Sequence, residues 1–124
     1  MGRRSRKRAA GTPDLEAPEE TYTAPDGGEL VLRCVLTPKT RTQYAAIADP
    51  SSARAAASAE DVWHRAVEFL FERLAVRWTV NDVPAEGQRD LLRRFRAATP
   101  DERAWVRETL RTHCREWFPD VQAP

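Results

Sequence analysis

The chain has 124 residues, 20 Lys and Arg against 19 Asp and Glu, and a net charge of +1 at pH 7. Its length suits one domain, and 41% hydrophobic with 31% charged residues predicts a chain that folds over most of its length. No apolar run approaches the roughly 18–20 residues of a membrane span; no hydrophobic stretch after the basic N-terminus reads as a secretory signal; and two cysteines 80 positions apart exclude a disulfide scaffold and a Cys-x-x-Cys zinc site.

Residues 1–20 form a charged arm. Arg3, Arg4, Arg6, Lys7 and Arg8 are followed by Asp14, Glu16, Glu19 and Glu20, with Leu15 the only large apolar side chain before Tyr22. Such a segment buries too little apolar surface to offset the entropy of ordering it, so residues 21–124 are expected to make a single α+β domain. Ala24-Pro25-Asp26-Gly27 then carries turn chemistry, with Pro fixing φ and Gly accepting positive φ. Leu30, Leu32, Cys34 and Leu36 repeat at period two, with Val31 and Val35 on the other face. A β-hairpin is predicted over about 21–36.

Thr37-Pro38 opens a helix as cap and first residue, running to Ala48 before Asp49-Pro50. The Ala-rich stretch 51–57 is a linker or an early start to the next helix. That helix begins at Ser58-Ala59-Glu60-Asp61, and Trp63, Ala66, Val67, Leu70 and Leu74 form its inner stripe. Val76, Trp78 and Val80 alternate with Arg77 and Thr79 before Asn81-Asp82, which predicts a third strand over 75–80. A helix over about 85–97 presents Leu91, Leu92 and Phe95. The last helix opens with Thr99-Pro100-Asp101-Glu102, a capping box with Pro in first place, and ends at Phe118-Pro119. The fold expected is a small N-terminal hairpin, with two or three strands in all, on a bundle of about four helices.

Catalytic signatures are missing from this sequence. There is no Gly-x-Ser-x-Gly, phosphate-cradling glycine loop or His-Glu-x-x-His, and Ser51, Ser52 and Ser58 sit where capping accounts for them. Cys34, His64, His113 and Cys114 have the residue types of a zinc site. However, neighbours on a helix point about 100° apart, so His113 and Cys114 do not readily share one tetrahedral centre. Cys114 reads as a buried small hydrophobe, His113 as bordering the surface and His64 as a rim residue. Glu68, Glu72 and Glu108 are expected to pair with Arg65, Arg73 and Arg111. The expected protein is not an enzyme and holds no cofactor or metal.

Two binding readings remain. Trp63 and Trp117 fall on inner helical faces, leaving Trp78 and Trp105, with the strand edge at Leu30 and Leu32, as a surface for a protein partner. The alternative is nucleic acid, held by Arg3, Arg4 and Arg6 of the arm and by two helical rows, Arg89, Arg93 and Arg96, then Arg103, Arg107, Arg111 and Arg115. Residues 85–118 hold eight arginines but also six acids, which weakens that alternative.

The strand pair Tyr22…Asp26-Gly27-Gly28-Glu29-Leu30-x-Leu32-Arg33…Leu36-Thr37-Pro38 leads into a helical body. Together with Trp78-Thr79-Val80-Asn81-Asp82-Val83-Pro84 before a helix, it resembles small tail-assembly proteins of long-tailed bacteriophages over about 29–97. The resemblance is one of pattern and brings no catalytic residues. It implies a chaperone or adaptor that binds a hydrophobic structural partner during virion assembly, in the cytosol of a bacterium.

Overall fold

Two tight turns set the sheet. In the first, the Ala24 N–H donates to the Gly28 carbonyl (2.7 Å) and the Gly27 N–H to the Ala24 carbonyl (2.9 Å). Gly27 has φ +94°, and a Cβ on Gly28 would stand 2.9 Å from the Thr79 carbonyl, so both positions require glycine. In the second, Asn81 and Asp82 have φ of 51° and 64°, the two positive values of a two-residue hairpin turn.

The structure, a computed structural model, describes residues 18–49 and 59–124. Arg3, Arg4, Arg6, most of the charged arm and the stretch 51–57 lie outside the described residues. The elements run β1 (Glu19–Thr23), β2 (Glu29–Arg33), α1 (Pro38–Ala48), α2 (Ala59–Leu74), β3 (Ala75–Val80), β4 (Val83–Glu86), α3 (Gln88–Ala97) and α4 (Pro100–Trp117). The class is α+β as the pattern predicted, and the hairpin begins at Glu19. The sheet has four antiparallel strands in the order β1-β2-β3-β4. The fourth strand occupies residues where the sequence suggested a helix start: the Asn81-Asp82 turn returns the chain along β3 with Val80 opposite Val83, and α3 waits until Gln88.

Cross-strand pairing places Tyr22, Leu30, Trp78 and Ala85 in one row across the sheet. These residues join Phe71, Leu74, Phe95, Val106, Leu110 and Phe118 from the helices in one core. Phe71 stacks on Phe95 with centroids 4.9 Å apart and meets Trp78 edge-on at 5.6 Å. The chain passes from α2 to β3 without a connecting residue, and Arg33 Nη1 donates to the Arg73 and Ala75 carbonyls at 3.3 Å across that junction.

The helix starts follow local chemistry. Thr37 caps α1. Thr99 and Glu102 form the capping box of α4, with Thr99 Oγ1 accepting from the Glu102 N–H (3.1 Å) and Glu102 Oε1 from the Thr99 N–H (2.8 Å). Past α4, the Tyr44 hydroxyl donates to the Gln122 carbonyl (2.7 Å) and Arg41 grips Asp120, so α1 holds the C-terminal tail.

Three expectations are corrected here. Trp63 and Trp117 are not core but 48% and 37% exposed, whereas Trp78 is 2% exposed. Trp63 stands in the first turn of α2 opposite the Arg107 guanidinium, and Trp117 closes α4 with its indole N–H donating to Glu20 (3.0 Å). His113 does not border the surface; it is fully buried between α4 and the sheet. Glu68 pairs with Arg96 of α3 (2.8 Å) rather than with Arg65, while Glu108–Arg111 forms as expected at 3.5 Å.

Candidate functional site

Folding takes most of the residues proposed for partner contact into the core. Leu30 and Leu32 are fully buried, and β2 is paired on both sides and ends at Arg33, so the strand edge expected at 30–36 is not open at Leu30 and Leu32. Trp78 is equally a core residue. Yet Trp78 and the half-buried Trp105 line the same cleft, of about 340 Å³, between the β1–β2 turn and the start of α4. Ala24, Pro25 and Val80 continue its apolar wall, and Asp26, Asp101 and Glu102 supply its charge. The lining includes no cation among the described residues.

Each part of this cleft has a local cause. Asp26 is held by its own turn, where its carboxylate accepts from the Gly28 N–H at 3.0 Å. Asp101 and Glu102 occupy the first turn of α4, where negative charge suits the helix dipole. Trp78 is fixed from behind by Arg94 of α3, whose Nη1 donates to the Trp78 and Val83 carbonyls at 2.7 and 2.5 Å and so clamps the β3–β4 hairpin. Nothing in the spacing of Arg94 separates it from the other arginines of its helix; only the packing of α3 on the hairpin reveals the role.

A second arrangement joins α4 to the sheet. His113 Nε2 lies 2.7 Å from the Arg33 carbonyl and Nδ1 lies 2.8 Å from the Tyr22 hydroxyl. Since a carbonyl only accepts, Nε2 carries the proton and Nδ1 accepts from the tyrosine. Both ring nitrogens are occupied, leaving neither for a metal or a substrate. Burial holds the His113 pKa below its ordinary value and raises that of Tyr22. Burial also pushes the Cys114 thiol up to about 12 and raises that of Cys34, which keeps both thiols protonated and poorly nucleophilic near neutral pH. Among the described residues, no group of three His, Cys, Asp or Glu side chains is arranged to hold a metal ion.

The arginine rows are partly neutralised. Arg93 lies 3.8 Å from Asp90, Arg96 pairs with Glu68, and Arg111 pairs with Glu108 and also donates to the Pro124 carbonyl. Arg89, Arg93 and Arg96 do share one shallow depression beside Leu92. Arg103 and Arg107 point to the side of α4 away from the Trp105 cleft, next to Trp63. No helix among the described residues is long and apolar enough to cross a membrane. Comparison with protein-family models, with curated proteins and with solved structures finds no match for this chain.

Proposed function

We propose that this chain is a non-enzymatic binding protein, an assembly factor or adaptor, that holds a segment of a protein partner in the cleft between Trp78 and Trp105. The observation that carries the reading is the cleft itself: an aromatic and aliphatic wall with three carboxylates and, among the described residues, no cation along it. Such a wall suits an apolar side chain flanked by Lys or Arg, because the apolar part gains burial while the charges complement Asp26, Asp101 and Glu102. The engaged state of His113 and the raised thiol pKa values support the absence of catalysis. The pattern likeness to phage tail-assembly proteins supports a place in virion assembly in a bacterial cytosol.

Nucleic acid is the second reading, favoured by the depression that Arg89, Arg93 and Arg96 share. Two of those three arginines face a carboxylate, which lowers the charge available to phosphates. A tagged pull-down from the native source, with and without nuclease, separates the readings. A stoichiometric protein partner that survives nuclease and is lost with Trp105→Ala or Asp101→Asn is expected. Recovery of nucleic acid, with proteins lost on nuclease treatment and affinity falling steeply with salt, would overturn it.

A further inference from the structure

Across α4 from Trp105, a second cleft of about 220 Å³ opens against the first turns of α2. Trp63, Val67, Phe95 and Ala104 form its apolar wall, and Trp63 is among the most exposed large apolar side chains of the described residues. The Arg107 guanidinium sits over the Trp63 ring, 5.1 Å from its centroid. Its Nε is enclosed and has no hydrogen-bond partner among the described residues. An enclosed N–H left unmatched is unfavourable, more so in a charged group, so the Arg107 guanidinium is not fully satisfied by the described residues.

Arg103, one turn earlier, lines the same cleft and makes a long 3.5 Å hydrogen bond to the Arg96 carbonyl. Glu68 is taken by Arg96 at 2.8 Å, and Glu60 stands exposed on the rim, 3.5 Å from His64. Two guanidiniums therefore stand over an apolar floor, neither of them ion-paired among the described residues, with Glu60 the one carboxylate of the described lining.

We propose that this cleft docks an acidic segment of a protein partner. An Asp or Glu carboxylate accepts from Arg103 and Arg107 while a neighbouring apolar side chain lies against Trp63 and Val67. A carboxylate matches the planar guanidinium fork. The volume lies below the ~300–1,000 Å³ of small-molecule pockets and suits one side chain. A polyphosphate chain fits less well, because it needs a continuous cationic track, whereas Arg93 and Arg96 nearby are neutralised and Glu60 stands at the rim. The site goes beyond the Trp78–Trp105 cleft and rests on the adaptor reading only in taking the ligand to be a protein.

The test titrates the 15N-labelled full chain with acetyl-Leu-Glu-Leu-amide and follows the Trp63 indole N–H and the Arg107 Nε–H signals by NMR. Saturable shifts of both are expected, weakened about tenfold when the peptide carries Gln in place of Glu. Arg103→Gln should weaken the same titration by a similar factor, the rest of its spectrum reporting an intact fold. Signals that stay still, or that move equally with the Glu and Gln peptides, would overturn the proposal. So would a stronger, salt-sensitive response to a single-stranded oligothymidylate, which would make the cleft a nucleic-acid contact. Partner capture lost on Trp105→Ala alongside a flat titration here overturns this proposal alone; the reverse pattern overturns only the reading of the first cleft.

Discussion

On one side of α4, Asp101, Glu102 and Trp105 face the β1–β2 turn; on the other, Arg103 and Arg107 face Trp63 of α2. At about 100° per residue, the buried line Val106–Leu110 runs between these two sets, so one helix carries a core stripe flanked by an acidic and a basic margin. Each margin has a tryptophan on the element opposite. Trp78 belongs to the central core, edge-on against Phe71, while also lining its cleft. Trp63 stands outside the core, with the Arg107 guanidinium over its ring. The difference teaches that Trp78 cannot be removed from the acidic cleft without breaking the core, whereas Trp63 can be removed from the basic one.

The largest expected effect breaks the comparison most directly. Trp78→Ala should destabilise the fold by about 3–5 kcal/mol, as for other buried aromatics, while Trp63→Ala should cost under about 1 kcal/mol. Urea titrations of the two variants decide it; equal losses would mean that core and surface are assigned wrongly.

His113→Ala comes next, at about 1–3 kcal/mol, because it strands the Arg33 carbonyl and the Tyr22 hydroxyl. The same residue sets a pH dependence. Its folded pKa lies below the unfolded value of ~6.5, so the unfolded chain binds more protons at mildly acidic pH. Stability should fall as pH drops through that value towards the folded pKa, despite the nearby Glu20 and Glu116, which favour the charged ring. Thermal melts from pH 7 to pH 5 should show a slope that flattens in His113→Ala; an unchanged slope would assign the acid sensitivity to other groups.

The smallest effect sharpens the charge contrast. Glu68→Gln releases Arg96 from an ion pair whose members are 35% and 63% exposed, and should lower the melting temperature only slightly. By adding an unmatched guanidinium beside the basic margin, it should also strengthen binding of the acidic tripeptide slightly. Weaker peptide binding in this variant would argue against a carboxylate at that margin.

Much of the fold was legible because its causes are local. The Thr99–Glu102 box and the Thr37 cap on the Thr40 N–H each reach only three residues, and the alternation of Val76, Trp78 and Val80 sits within one strand. β4 was hidden because four residues, one of them Pro84, are too short for a period to register. The candidate cleft was half legible: Trp78 and Trp105 do meet, but Leu30 and Leu32 lie beneath the sheet surface rather than at an edge, since β1 and β3 pair with both sides of β2.

What the sequence determined by itself was the position of helices, strands and turns, through caps, periodicity and turn residues that act within a few positions. Only the tertiary structure decided which faces are covered. Periodicity put Trp63 on the stripe of Leu70 and Leu74, but what stands opposite the first turn of α2 is Arg107 of a distant helix. His113 reads as a border residue until β1 and β2 close over it with a hydroxyl and a carbonyl at bonding distance. Burial belongs to pairs of elements brought together from far apart in the chain, and no local pattern records the partner.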